Sequence, residues 1–194
     1  MKELVTVSIA GLLLSATLSG SSWQGQTTPQ IRDSSKTDAS HISALTADEV
    51  RHRLVMMPYY GVFDWLEGEV LPNGTVVLRG QVTRPTTKSD AEARVRKIET
   101  VSNVKNDIEV LPPSPSDDAI RLAMYRAIFS YDGALFRYAT RAVPPIHIVV
   151  NNGRAALKGY VASEMDKQIA YTKARGVSGV FEVKNELMVD KDNY

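Results

Sequence analysis

The sequence contains no cysteine, and this absence restricts the chemistry open to the protein. Disulfide bonds, thiolate metal sites and thiol nucleophiles are all excluded. Only three histidines are present, His41, His52 and His147. A single histidine without convergent partners does not make a zinc site, and we expect His52 on the solvated side of a helix. His147 has no carboxylate near it in the sequence, so a metal or catalytic role is the lesser interpretation for it too.

Excess charge of one sign and long apolar runs are also missing. The 23 basic and 22 acidic residues leave a formal net charge of +1, so no overall field recruits nucleic acid. No glycine-rich phosphate loop, serine-centred elbow or HExxH motif occurs. These absences predict a protein that is not an enzyme and that needs no cofactor or metal, and they make a hydrolase or small-molecule binder the least favoured function.

The first 22 residues have the features of a secretory signal peptide. Lys2 supplies positive charge, residues 4–14 form an apolar run too short to span a bilayer, and small residues follow at 19–22. This pattern predicts export to the periplasm, or secretion as the alternative, with cleavage between residues 19 and 23 and no integral membrane segment afterwards. The other interpretation is an uncleaved amphipathic or buried helix. Residues 23–45 are rich in Ser, Thr, Gln and Asp, which predicts a disordered linker.

The strongest positive feature is an internal repeat. Residues 73–110 align without a gap on residues 152–189, and 13 of the 38 pairs are identical. Average composition gives roughly two or three identities by chance, so one supersecondary unit is used twice. We predict two domains, residues 46–111 and 116–190, joined by a short proline-rich linker.

Hydrophobic spacing in each repeat predicts the order helix, strand, strand, helix, strand. A capping box, Thr46 with Glu49, is expected to start the first helix, and the Asn-Gly pairs at 73–74 and 152–153 predict type I′ hairpin turns. The predicted fold class is α+β, with two tandem αββαβ domains. Each domain is expected to be a three-stranded mixed sheet with two helices on one face.

Residues 146–150 form a strand that is apolar on both faces apart from His147. Such a strand needs cover on both sides. Because helices cover only one face of each predicted sheet, the pattern predicts that the two repeats pack against each other as one rigid body.

Two residue pairs occupy equivalent positions in the repeats. Gly80 and Gly159 lie on the inward face of a strand, which predicts the close approach of a helix. Asn106 and Asn185 also face inward, and a buried amide needs hydrogen-bond partners. We expect each to bond loop backbone near the helix–strand junction. A ligand-binding role is the minor alternative for both pairs.

These motifs resemble the BON domain, which occurs in bacterial periplasmic osmotic-stress proteins and in outer-membrane-associated lipoproteins. The shared pattern is Val-x-Leu-x-Gly-x-Val, a helix, and then Gly-Val-x-x-Val-x-Asn-x-Leu-x-Val. It falls on residues 76–82 with 100–110, and on residues 155–161 with 179–189. Thr100 departs from the glycine of the pattern and Ala155 from its first valine.

The resemblance implies a non-enzymatic module of the cell envelope, with a role in envelope integrity or osmotic stress. Such a module is expected to bind phospholipid surfaces or other envelope components. The alternative is a periplasmic scaffold for protein–protein interaction without lipid affinity. Either way the expected partner is an anionic phospholipid surface or an envelope protein.

One segment of repeat two combines aromatic and basic residues without any acidic residue between them. It supplies the candidate contacts with lipid or a partner: Leu135, Phe136, Arg137, Tyr138 and Arg141. Aromatic rings can lie at headgroup depth while arginines meet phosphates, so we expect this segment to protrude. The alternative is that its apolar residues extend the core and its arginines are simply solvated.

Overall fold

The computed structural model describes residues 34–141 and 143–190, which form two α+β domains. The predicted fold class, two tandem αββαβ units with mixed sheets, is confirmed. The predicted signal peptide and residues 23–33 of the predicted linker lie outside the described residues.

Domain 1 is built on a central strand that pairs on both sides. Its elements are α1 (Ser34–Val55), β1 (Trp65–Val70), β2 (Thr75–Val82), α2 (Pro85–Val95), β3 (Asn103–Asn106) and β4 (Glu109–Val110). Strand β2 runs antiparallel to β1 and parallel to both β3 and β4. Thr75 lies opposite Asn103 and Gln81 opposite Glu109, so β3 and β4 keep one register. The predicted third strand is therefore interrupted rather than displaced.

Domain 2 repeats this topology with one continuous third strand. Its elements are α3 (Pro115–Ile128), α4 (Phe136–Ala139), β5 (Ile146–Asn151), β6 (Arg154–Val161), α5 (Glu164–Arg175) and β7 (Glu182–Val189). Strand β6 lies between antiparallel β5 and parallel β7. The short helix α4 is the addition that distinguishes the second repeat from the first.

Each domain buries one sheet face under its two long helices. In domain 1, Val76, Leu78 and Val82 are fully buried in a cluster with residues from α1 and α2. In domain 2, Leu157 and Val161 occupy the equivalent positions under α3 and α5. Burial of each such side chain contributes about 1.5–3 kcal/mol to stability, which is why alternate positions of the central strands are apolar.

The start of helix α1 differs from the prediction. The helix begins at Ser34, so residues 34–45 are helical and not a disordered linker. Thr46 therefore lies inside the helix and is not its N-cap. Its hydroxyl donates to the Ile42 carbonyl oxygen at 2.8 Å and also bonds the Thr100 hydroxyl at 2.8 Å. A threonine that is buried inside a helix is satisfied in this way, and the capping-box prediction is wrong.

The two hairpin turns are not alike. In domain 2, Asn152 and Gly153 both have positive φ, 50° and 72°, as the predicted type I′ turn requires. In domain 1 only Gly74 does, with φ of 75°, and its N–H donates to the Leu71 carbonyl at 2.9 Å. Proline at position 72 fixes its own φ near −65°, which suits a type I turn followed by a left-handed glycine. The type I′ prediction is wrong for the first hairpin.

The two strand glycines are required by a neighbouring strand, not by a helix. Gly80 has φ of 129°, and an added Cβ would lie 1.9 Å from the Trp65 carbonyl oxygen. Gly159 has φ of 108°, and its Cβ would lie 2.0 Å from the Pro145 oxygen. A helix approaches Gly68 instead, where a Cβ would meet Val50 of α1 at 2.7 Å.

Candidate functional site

The two domains meet along the outer edge of β5. The Ile148 N–H donates to the Val62 carbonyl oxygen at 2.7 Å, and Nδ1 of His147 lies 3.2 Å from the Gly61 oxygen. Residues 61–65 of domain 1, which we call the joint loop, thus supply acceptors to the edge strand of domain 2. The prediction that the repeats pack on each other through residues 146–150 is confirmed at this contact, whereas their forming one rigid body stays a prediction.

His147 is the centre of this contact and is only 4% exposed. Its ring stacks on Tyr60 at 5.3 Å between centroids and meets Trp65 edge-on at 5.2 Å. Burial lowers the pKa of His147 below its usual value of 6.5, although backbone carbonyls and Asp64 act in the opposite direction. The ring is therefore neutral at pH 7, and its Nδ1–H is the donor to Gly61.

A buried carboxylate fixes the shape of the joint loop. Asp64 is 4% exposed and accepts from the Thr83 N–H at 2.7 Å and the Thr83 hydroxyl at 3.0 Å. It also accepts from the Gly61 N–H at 3.4 Å. Because Gly61 is held on its N–H side by Asp64, its carbonyl is positioned to meet His147 on the other side.

A cleft of about 530 Å³ opens beside this joint, with walls from both domains. Helix α1 contributes Leu54 and Val55, and the joint loop contributes Trp65. Domain 2 contributes Pro145 and His147. Charged side chains of both signs line it as well: Asp48, Arg51, Glu67, Arg141 and Asp190. Its size is within the range of small-molecule pockets, which often occur between domains.

The predicted contact segment is partly core. Leu135 and Tyr138 are 0% and 1% exposed, so the prediction that they protrude is wrong. The Tyr138 hydroxyl donates to Asp166 at 2.9 Å and accepts from the Ala162 N–H at 2.9 Å. A tyrosine with both hydroxyl functions satisfied inside the fold is a structural residue. It ties α4 to the start of α5.

The remaining residues of the segment face outward to different degrees. Phe136 is half-buried, while Arg137 and Arg141 are exposed. Arg137 donates to the Asp166 carboxylate at 2.6 Å, and its hydrogen bond with Tyr138 raises the pKa of the guanidinium. Arg141 lines the cleft between the domains. Arg137 and Arg141, which were predicted to contact the same partner, therefore have different surroundings.

Sequence reasoning missed two exposed apolar residues near Arg137. Tyr131 is 85% exposed and meets the Phe136 ring at 5.0 Å between centroids. Met165 is 72% exposed and precedes Asp166, the ion-pair partner of Arg137. We call Tyr131, Phe136, Arg137 and Met165 the aromatic tip. The two missed residues belong to separate parts of the chain, which hydrogen bonds from Arg137 and Tyr138 to Asp166 link to each other.

The motif asparagines and the other candidate groups are structural. Nδ2 of Asn106 and Nδ2 of Asn185 each donate to the backbone of a helix, not to the loop backbone that was predicted. His52 is on the exposed side of α1. Among residues 34–141 and 143–190, no three His, Asp or Glu side chains are grouped as a metal site would need. Within the same residues no helix has the length and apolar character needed to cross a bilayer.

Comparison with known proteins gives one family match. The BON domain model matches residues 67–112 and 134–191, which together are more than half of the chain. No curated protein matches. Two solved structures of CdsD, a structural protein of the type III secretion system of Chlamydia trachomatis, are similar to this chain. The C-terminal domain of CdsD is 16% identical with a TM-score of 0.26, covering 74% of this chain and 96% of that one. The second CdsD structure is 14% identical with a TM-score of 0.28, covering 75% and 93%.

Proposed function

Because the chain belongs to the BON domain family, we propose that it is a non-enzymatic module of the cell envelope that binds phospholipid surfaces. Proteins with this domain are typically periplasmic or envelope-associated and generally non-catalytic. We propose a role in envelope integrity or osmotic stress on the ground of the same membership. The anionic headgroups of such a surface are the partner that we propose.

The observation that carries this proposal is the aromatic tip. Tyr131 and Met165, at 85% and 72% exposed, are among the most exposed large apolar side chains of the described residues. Arg137, whose side chain is 58% exposed, follows Phe136, the ring partner of Tyr131, and pairs with Asp166, which follows Met165. Apolar side chains that can enter a lipid interface next to a cation that can meet phosphate are the features of peripheral membrane contacts.

The ion pair within the tip decides how it should be tested. Arg137 forms an ion pair with Asp166, whose side chain is 6% exposed. A glutamate at position 137 would therefore place a second negative charge against a buried carboxylate. Charge reversal there would destabilise domain 2 and confuse loss of binding with loss of fold. Substitution of the exposed apolar residues avoids this problem.

We therefore expect the double variant Tyr131→Ser, Met165→Ser to lose vesicle binding while it keeps its melting temperature. Each side chain withdrawn from the interface removes on the order of 1.5 kcal/mol, or about tenfold in affinity. Flotation with vesicles containing phosphatidylglycerol measures this. The matched control is Met56→Ser, since Met56 is 63% exposed in domain 1. Binding of the double variant that equals binding of this control contradicts the proposal.

A protein-interaction scaffold is the second candidate, and a groove on domain 1 favours it. Ile42 and Leu45 of α1 are 54% and 57% exposed and border a groove of about 440 Å³ that Ile98 and Thr100 also line. An amphipathic helix of a partner would fit such a groove. If the wild-type chain does not float with vesicles at all, the scaffold replaces the lipid-binding module.

A further inference from the structure

The joint between the domains depends on a side chain that can change its charge near neutral pH. His147 is the only histidine of the described residues that is buried, since His41 and His52 are exposed. It also makes contacts with Gly61, Tyr60 and Trp65, all of which belong to the other domain. A change in its protonation is therefore felt directly by the contact between the domains.

We propose that the joint is an acid-sensitive latch, in which protonation of His147 releases the joint loop from β5 and opens the cleft between the domains. With a neutral ring, Nδ1–H donates to Gly61, and the neighbouring Ile148 N–H donates to Val62. An imidazolium in the same place would carry a charge into a site that is 4% exposed. Opening of the cleft returns that charge to water.

The charged groups around His147 do not compensate for this burial. Lys158 lies directly opposite His147 across the β5–β6 pair, and its Nζ is 6.0 Å from the Trp65 ring. Lys158 is itself paired with Glu186 of β7 at 2.8 Å. Asp64 is the nearest carboxylate of the joint loop, but three hydrogen bonds to Thr83 and Gly61 already occupy it.

The other titratable groups near the ring lie around the cleft and are of both signs. Two of them are arginines, three are carboxylic acids and two are tyrosines, and burial raises the pKa of Tyr60. The full set is Asp48, Arg51, Tyr60, Glu67, Arg141, Tyr160 and Asp190. Arg141, Tyr160 and Asp190 have further partners of their own. Burial outweighs the charge of Asp64, which acts to raise the pKa of His147.

The direction of the pH effect follows from the burial of His147. Its pKa in the closed form lies below the value of 6.5 that a solvated histidine has. The closed form therefore keeps its full stability above about pH 6.5 and loses it progressively as the pH falls toward the pKa of the closed form. Ordinary carboxylates remain ionised down to about pH 5, so a response between these values is a response of histidine.

The absence of cysteine allows a direct test with the full chain. Ser102 of domain 1 and Ser178 of domain 2 are both exposed, so Ser102→Cys and Ser178→Cys together accept one spin label in each domain. We expect a shift to longer label–label distances between about pH 7.5 and about pH 5. Substitution of His41 and His52 by Gln in the same chain should leave this shift intact.

The decisive variant is His147→Asn. An asparagine amide can donate from about the position of Nδ1 and cannot be protonated in this range, so the distance should no longer depend on pH. If His147→Asn shows the longer label–label distance at both pH values, the distance still does not change with pH, which agrees with the latch. A step that persists in His147→Asn and in His147→Phe overturns the proposal.

A second measurement reports on the wild-type side chain itself. Imidazole proton signals should give His147 a titration midpoint below the 6.5 of a solvated histidine. The latch is also wrong if His147 titrates at or above that value, or if it titrates without any change in label distance.

Discussion

Asn106 and Asn185 make the same pair of hydrogen bonds in the two domains. Nδ2 of Asn106 donates to the Lys88 carbonyl oxygen at 3.0 Å, and Nδ2 of Asn185 donates to the Lys167 oxygen at 3.0 Å. Each Oδ1 accepts the N–H two residues later, from Ile108 at 3.3 Å and from Leu187 at 3.4 Å. One amide thus joins the first turn of a helix to the third strand of its sheet. It also occupies a donor that the edge of the sheet would otherwise expose.

Loss of this amide should weaken its own domain. We expect Asn185→Ala to cost about 1–2 kcal/mol, because it leaves the Lys167 carbonyl and the Leu187 N–H without their partner. Urea denaturation measures the effect. Asn103 is exposed, so Asn103→Ala is a control that should stay within about 0.5 kcal/mol of the wild type. Equal midpoints for the two variants would contradict the role given to the amide.

The asparagine of domain 1 has an additional carboxylate partner. Nδ2 of Asn106 also donates to Glu92 at 3.0 Å, and this hydrogen bond is the main reason that the pKa of Glu92 lies below its usual 4.5. Glu92 therefore supports the fold above about pH 4.5, and this support is lost as the pH falls through its lowered pKa. Asn106→Ala should raise the pKa of Glu92, as carbon NMR of the carboxylate can measure. Asn185→Ala, in the other domain, should leave it unchanged.

The strand glycines should tolerate no side chain. Gly159→Ala places a Cβ 2.0 Å from the Pro145 oxygen at a φ of 108°, so we expect a loss of about 3 kcal/mol or more. Gly80→Ala should behave in the same way. Gly176→Ala is the matched control, because its nearest neighbour would be 3.5 Å away and its φ is −77°. That change should be neutral or stabilise by up to about 1 kcal/mol. In thermal unfolding, we expect Gly159→Ala and Gly80→Ala to melt well below the wild type and Gly176→Ala to melt at or above it.

The second hairpin turn depends on one aspartate from helix α3. Asp117 is 2% exposed, and its two oxygens accept from the Asn152 and Gly153 N–H groups, each at 2.8 Å. Asp117→Ala leaves both N–H groups without an acceptor, and we expect the free energy of unfolding to fall by about 2–3 kcal/mol in chemical denaturation. Asp132 is exposed, and Asp132→Ala should cost less than about 0.5 kcal/mol. A small effect at position 117 would mean that water replaces the carboxylate.

The repeated pattern was enough to predict the fold, because apolar and polar residues alternate along each central strand and this alternation shows which face is buried. Leu78 and Leu157 mark the helix-covered face of each central strand, and both are fully buried. The first residue of α1 could not be predicted from the sequence pattern in the same way. Thr46 has the residue type of an N-cap, but its hydroxyl finds hydrogen-bond partners in the Ile42 carbonyl of the preceding turn and in the hydroxyl of Thr100, which is distant in sequence. Local pattern cannot distinguish these outcomes.

The site was harder to predict, for a physical reason. The exposure of Tyr138 depends on whether Asp166 and Ala162 lie within reach of its hydroxyl, which only tertiary structure decides. The apolar run around His147 correctly indicated that something covers β5. It could not show that a loop of the first domain does so through carbonyl oxygens, since backbone acceptors have no sequence signal.

The bond from the Ile148 N–H to the Val62 oxygen has a consequence for how the chain is made. A ribosome releases domain 1 before domain 2, and domains fold as units in that order. The loop that covers the β5 edge therefore exists before the strand that needs it. An unpaired edge is open to pairing with other chains, and here the interval in which that can happen is short. A circular permutant that places domain 2 first would lengthen this interval, and we expect it to aggregate more during synthesis while reaching the same final structure.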